Sequence, residues 1–137
     1  MTPQQVALVQ ASFAKVAPIA EQAAALFYGR LFETAPETRA LFHGDMTIQG
    51  RKLMDAITMV VTNLGDLGAV VAAAQELAKR HVGYGVRPEH YAPVGAALLW
   101  TLQQGLGGDF TAEVGAAWAT AYGALSGAMI AAAYPES

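Results

Sequence analysis

The chain predicts an all-α, single-domain fold, and three observations carry that prediction. Apolar side chains recur at the three-to-four-residue spacing of helices along nearly the whole sequence, and no stretch alternates as a half-buried strand would. Breaks bearing Gly or Pro divide the chain into segments of helical length. A length of 137 residues suits one core of useful size, with no internal repeats or low-complexity runs.

The elements follow in order. Thr2-Pro3 opens a first helix, Thr2 as cap and Pro3 in the first turn, with Val6, Val9, Phe13 and Val16 as its inner stripe. A second helix opens near Pro18 and is expected to bury Ala23, Leu26, Phe27, Leu31 and Phe32 until Thr34-Ala35-Pro36-Glu37 breaks it. A short helical corner carries Leu41 and Phe42, and His43-Gly44-Asp45 reads as a loop. The third helix covers about 46–64, with Leu53, Ile57 and Val60-Val61 inward. Gly65-Asp66-Leu67-Gly68 turns into a fourth helix that ends at His81, and a glycine-rich corner leads to a fifth over about 88–106. Thr111 then caps a last helix, Glu113 sits in its first turn, and Val114, Trp118, Tyr122, Leu125, Met129 and Ile130 follow.

Composition narrows the function. Charged residues make up 14% of the chain against an average near ~25%, while 54% are hydrophobic. The surplus apolar side chains must line something, and either a bound apolar cofactor or an Ala/Gly-rich interior accounts for them. A formal net charge of -3 without a basic run disfavours nucleic-acid binding. The absence of cysteine excludes disulfides, thiolate zinc sites and cysteine nucleophiles. The N-terminus lacks a basic region followed by an apolar run, so a cytoplasmic protein is expected. Residues 114–134 carry no charge and are long enough to span a bilayer, yet are mostly small. Gly115, Ala119, Gly123 and Gly127 fall four apart, a stripe that permits close helix contact within the chain or in a symmetric dimer. We read this segment as a packed helix and expect no membrane partner; monomer and homodimer both remain open.

The most informative residue is His81. It closes the amphipathic stretch Leu77-Ala78-Lys79-Arg80 and precedes the glycine-punctuated exit Val82-Gly83-Tyr84-Gly85-Val86. Upstream stand Phe27-Tyr28, a Pro36 corner, Leu41-Phe42 and Gln49; downstream comes His90-Tyr91-Ala92-Pro93-Val94-Gly95. An imidazole, a phenol, an amide and many apolar side chains equip a haem pocket rather than a hydrolase or a bare-metal cage. In this order and spacing, Phe27-Tyr28-Gly29-Arg30-Leu31-Phe32, Pro36 with Arg39 through Leu41-Phe42, and Gln49 with Lys52-Leu53 make a specific set. Lys79-Arg80-His81, the 90–95 segment and Ala117-Trp118 through Ala121-Tyr122-Gly123 complete it. With these pieces the chain resembles bacterial single-domain haemoglobins, related to the globin domain of flavohaemoglobins, over nearly its whole length.

That resemblance implies a three-on-three globin sandwich around b-type haem. It makes His81 the proximal iron ligand, although a histidine at a helix end is otherwise explained by the helix dipole. His43 and His90 read as solvated. Phe42 matches the phenylalanine that packs flat on haem. Tyr28 and Gln49 map to the distal side, where donors would bond a dioxygen ligand that takes on negative charge. One such bond is worth about 1.5–3 kcal/mol, which slows oxygen escape roughly ten- to a hundredfold. The alternative is that Tyr28 bonds a backbone carbonyl and Gln49 turns to solvent.

Leu53 is expected over the ligand, with Ile57, Leu77, Val86, Val94 and Leu98 as further wall or as general core. Lys52 and Arg80 stand where haem propionates would emerge, or are merely solvated. Tyr91 matches a tyrosine that supports the proximal histidine, or simply walls the pocket. The glutamate that accompanies it in the family falls here on Ala133, with Glu136 beyond Pro135 a poor substitute, so weaker electron donation to iron is expected.

The leading function is reversible binding of dioxygen for storage, delivery or buffering, with carbon monoxide and nitric oxide as further ligands. An enzymatic alternative is nitric oxide dioxygenation. The chain has no dinucleotide glycine motif and no room for a flavin domain, so electrons for that reaction are expected from a separate reductase. Haem-based gas sensing and a globin that binds no haem are the remaining classes.

Overall fold

The computed structural model describes residues 2–42, 44–83 and 87–133, with backbone alone for Leu67, Val82, Gly83 and Ala133. His43, Val86 and Glu136 lie outside the described residues, as does the Ala133 side chain. Among the described residues there are six α-helices: α1 (Pro3–Val16), α2 (Ala20–Thr34), α3 (Met46–Thr62), α4 (Leu67–Gly83), α5 (Tyr91–Leu106) and α6 (Ala112–Ala133). Short 3-10 helices at Ala17–Ile19, Pro36–Leu41, Pro88–His90 and Gly107–Asp109 precede or follow them.

Local chemistry sets the boundaries. Thr2 and Gln5 cap α1 reciprocally: Thr2 Oγ1 accepts from the Gln5 N–H at 3.1 Å, and Gln5 Oε1 from the Thr2 N–H at 3.0 Å. Asp45, which reads as loop in sequence, is the cap of α3 and accepts from the Thr47 N–H at 2.8 Å. Pro18 and Pro88 open 3-10 turns rather than the α-helices expected at them, so α2 begins at Ala20 and α5 at Tyr91. α3 stops at Thr62, short of the expected end. The Asn63 N–H is shared among the last carbonyls, and its side-chain amide donates to Met59 O at 2.7 Å. Thr111 Oγ1 accepts from the Val114 N–H at 3.2 Å, as its position before α6 implies.

α6 packs along α4 and against α1 and α5, while α2 packs on α5 and α3. Val9, Phe13 and Val16 of α1 meet Leu102 and Leu106 of α5 and Trp118 of α6 in one cluster. At its centre the Trp118 Nε1–H donates to Ser12 Oγ at 2.8 Å, and the Ser12 hydroxyl lies 2.7 Å from Leu8 O. A buried indole N–H must find an acceptor, and Ser12 supplies it.

One expectation fails, and one of two alternatives is narrowed. Leu26 is 38% exposed, because α2 buries the face of Ala23, Ala24, Phe27, Tyr28 and Leu31, and Leu26 falls beside it. The small-residue stripe of α6 does not mediate helix contact along its length. A Cβ at Gly115 would meet the Phe110 ring at 3.2 Å, but Gly123 and Gly127 face open space. By length and composition α6 meets the threshold for crossing a membrane. Its large side chains, Trp118 and Met129 among them, are turned inward, and the outward face is mostly Ala and Gly, with Glu113 and Thr120.

Gly50 governs the approach of α3 to α2. A Cβ there would stand 3.0 Å from Ala24 Cβ, so its absence lets the two helices close one turn before Tyr28. α3 and α4 make little direct contact, and a cavity opens between them.

Replacing Ser12 by Ala removes the acceptor of the buried Trp118 N–H and should lower stability by about 1–3 kcal/mol in urea unfolding. A change within experimental error would mean that another acceptor, or water, serves the indole.

Candidate functional site

The cavity has a volume of about 830 Å³, within the range of sites that take a bulky organic cofactor, and its walls are mainly apolar. Each helix contributes by its period. α3 presents Gln49, Leu53 and Ile57, four apart along one stripe; α4 presents Leu77 and His81, again four apart; α5 presents Tyr91, Val94 and Leu98. Phe42, at the end of the 3-10 helix, closes another side. Lys52 and Arg80 also line it, and both are exposed.

Every described residue singled out in the sequence therefore reaches this one cavity. Phe27, Trp118, Tyr122, Met129 and His90 reach it too. The first four belong to helical stripes that also build core, and periodicity does not separate pocket wall from core. His90, expected to be solvated, is partly open to solvent, and the turn Pro88–His90 also brings it to the cavity.

His81 is held by its own helix. Its Nδ1 lies 2.6 Å from the Leu77 carbonyl, a contact that puts the ring hydrogen on Nδ1 and the lone pair on Nε2. Burial pushes its pKa below the ordinary histidine value, against the opposing effect of that backbone bond, so the neutral ring is favoured. The buried Tyr91 ring lies nearly parallel to the imidazole, at 23° with centroids 6.4 Å apart.

Tyr91 is itself anchored from α6. The Tyr122 hydroxyl donates to the Tyr91 carbonyl at 2.6 Å, and burial raises the Tyr122 pKa well above its usual value. Its ring crosses α5 at Gly95, where a Cβ would meet a ring carbon at 2.5 Å. Any side chain at that position would displace Tyr122, the anchor of the first turn of α5.

On the α2 wall, Tyr28 stands among three phenylalanines. Phe27 and Phe42 meet it edge-on, each with centroids 5.1 Å away, and Phe32 stacks at 5.9 Å. Its hydroxyl donates to the backbone carbonyl of Gln49 at 3.2 Å, the carbonyl alternative of the sequence reading. That distance is long for an O–H···O bond, so a better-placed acceptor in the cavity would compete for the proton.

The residues fit a haem. A mainly apolar cavity, open at one side, receives an imidazole whose lone pair is on Nε2, and Phe42, Leu53 and Val94 supply flat or branched walls. Lys52 and Arg80 would stand toward the carboxylates of such a group. Among the described residues no cluster of three or more His, Asp or Glu side chains is placed to hold a bare metal ion.

Burial pushes the Tyr28 pKa up to about 12. Its neutral form is therefore favoured by folding: the stabilisation is complete below the unfolded value near ~10 and is lost as pH rises through the folded value. A difference titration of wild type against Tyr28→Phe, followed by phenolate absorbance, should show this group ionising near pH 12. Ionisation near ~10 would mean that water reaches the hydroxyl.

Comparison with known proteins agrees with this architecture. The globin family matches residues 25–129, from within α2 to within α6. The flavohemoprotein of Bordetella pertussis is 34% identical over 133 residues, covering 95% of this chain and 33% of the relative. The flavohemoprotein of Xylella fastidiosa (strain Temecula1) is 33% identical over 124 residues, covering 88% and 31%. That of Bacillus subtilis is 32% identical over 109 residues, covering 76% and 27%. The chain thus spans about a third of the length of these relatives. With six helices in this order around a cavity that His81 enters from α4, the chain belongs to the globin family.

Proposed function

We propose that the protein holds b-type haem on His81 and reversibly binds dioxygen, with carbon monoxide and nitric oxide as further ligands. Its use on this reading is storage, delivery or buffering of oxygen in the cytoplasm. The observation that carries it is the His81–Leu77 contact of 2.6 Å inside an apolar cavity of about 830 Å³. When bound, the haem iron supplies reversible coordination of these gases.

The chain's own residues do the rest. Leu77 O holds the proton at Nδ1 of His81, which leaves Nε2 to ligate and fixes the plane of the ring. Phe27, Phe42 and Leu53 give the ligand side apolar walls, and with the cofactor in place the shielding they provide would strengthen a hydrogen bond made there. Tyr28 keeps its proton at neutral pH and would donate its hydrogen bond to a negatively polarised ligand in place of the Gln49 carbonyl. Leu53, one turn beyond Gln49, limits ligand size. Lys52 and Arg80 are exposed and would each contribute about 0–1 kcal/mol to carboxylate pairing.

A second reading is nitric oxide dioxygenation, in which nitric oxide, dioxygen and one electron give nitrate. The name shared by the relatives joins a flavin to a haem, which favours an electron supply of this kind. Here Tyr28 would orient dioxygen rather than retain it, and a reductase would return the electron. Nitrate formed over many cycles with a flavin reductase present would select this reading; a stable oxygen complex without turnover would select the first.

Two substitutions test the site. Tyr28→Phe should speed oxygen dissociation in stopped flow about tenfold, less than a full charge-assisted bond because the Gln49 carbonyl competes for the proton. An unchanged off-rate would make Tyr28 only a tie between α2 and α3. His81→Ala should abolish stable haem retention, and a variant that keeps haem with an unaltered visible spectrum would remove His81 as ligand.

A further inference from the structure

His90 is the histidine of this cavity to which the sequence assigned no role. Its ring is half-buried, ends the 3-10 turn Pro88–His90, and lines the cavity together with Lys52 and Arg80. Its Nδ1 accepts the Arg87 backbone N–H at 2.9 Å. A nitrogen that accepts carries no hydrogen, so the neutral ring bears its hydrogen on Nε2. Among the described residues nothing pairs with that Nε2–H.

The contrast with its two cationic neighbours is one of order. Lys52 and Arg80 are exposed on long stems, and a bond from either freezes several torsions and is screened by water. The His90 ring has two torsions and is already tied at one edge. A carboxylate arriving at the cavity mouth gains its donor at small ordering cost.

Resting on the haem reading above, we propose that His90 seats a haem carboxylate: its Nε2–H donates to a propionate oxygen and fixes which edge of the porphyrin faces the mouth. Lys52 and Arg80 add charge there without setting the orientation. The same bond links the cofactor to the turn that leads into Tyr91, so the group and the first turn of α5 are positioned together.

The test compares haemin with haemin dimethyl ester, whose carboxylates are blocked, in the full chain. Release is followed as transfer to excess apomyoglobin. His90→Leu should release haemin about tenfold faster than wild type, the size of one charge-assisted bond that is partly open to water. His90→Gln, which keeps a side-chain donor, should recover most of the retention. With the dimethyl ester, wild type and His90→Leu should release at the same rate.

Equal acceleration with both porphyrins would overturn the proposal, since it would mean that losing the Arg87 N–H acceptor merely loosens the turn. Unchanged haemin release in His90→Leu would also overturn it while leaving the haem reading intact. Wild type that retains neither porphyrin would overturn the haem reading itself.

Discussion

The carbonyl of Leu77 decides which nitrogen of His81 carries a hydrogen, and the chemistry proposed for the cavity depends on that choice. The two residues lie one turn apart on α4, so the helix that delivers the imidazole also orients it. A backbone carbonyl has two lone pairs, so Leu77 O can take a side-chain donor from one turn on in addition to its intrahelical N–H. A surface histidine would exchange between tautomers and rotamers. Here backbone geometry selects one tautomer, burial favours the neutral ring, and the parallel Tyr91 ring limits its swing. The imidazole is thereby ordered before anything binds, the condition under which the proposed ligand would hold a large group well.

The rest of the cavity is shaped as much by missing atoms as by present ones. Gly50 admits Ala24 and brings the Gln49 carbonyl within reach of Tyr28. Gly95 admits the Tyr122 ring and lets its hydroxyl reach the carbonyl of Tyr91. Each glycine thus connects a helix crossing to one polar contact at the site. The phenol of Tyr28 and the tyrosine beside His81 are both located by a close approach, one that an added methyl group would loosen at Gly50 and block at Gly95.

Much of this was legible in the sequence. Six helices and their breaks follow from apolar period and turn residues, and the spacing of Gln49, Leu53 and Ile57, or of Leu77 and His81, already puts each set on one face. What escaped depended on neighbours distant in the chain. Asp45 looked like loop because its role as a cap is defined by the donors it meets. Leu26 satisfied an apolar pattern yet fell outside the buried arc of α2. The Gly and Ala stripe of α6 signalled close packing, but a small side chain permits contact without requiring it, and Gly123 and Gly127 stay open. His90 had no periodic signal, since a 3-10 turn rather than a helix carries it to the cavity. A backbone carbonyl as acceptor for Tyr28 was one of the two alternatives open in the sequence; that the carbonyl is Gln49's depends on the crossing of α2 and α3.

The pairing of Ser12 with Trp118 joins residues 106 positions apart in the chain. α1 buries Val9, Phe13 and Val16 chiefly against α5 and α6. A chain synthesised from its N-terminus therefore exposes the apolar stripe of α1 until residues about a hundred positions further on have been made. The cluster around Trp118 is a contact of long sequence separation, and such contacts close late and slow the search for the native state. For the nascent protein the vulnerable element is thus α1, whose cover lies so far along the chain. Its protection is kinetic until the indole of α6 arrives to dock on it.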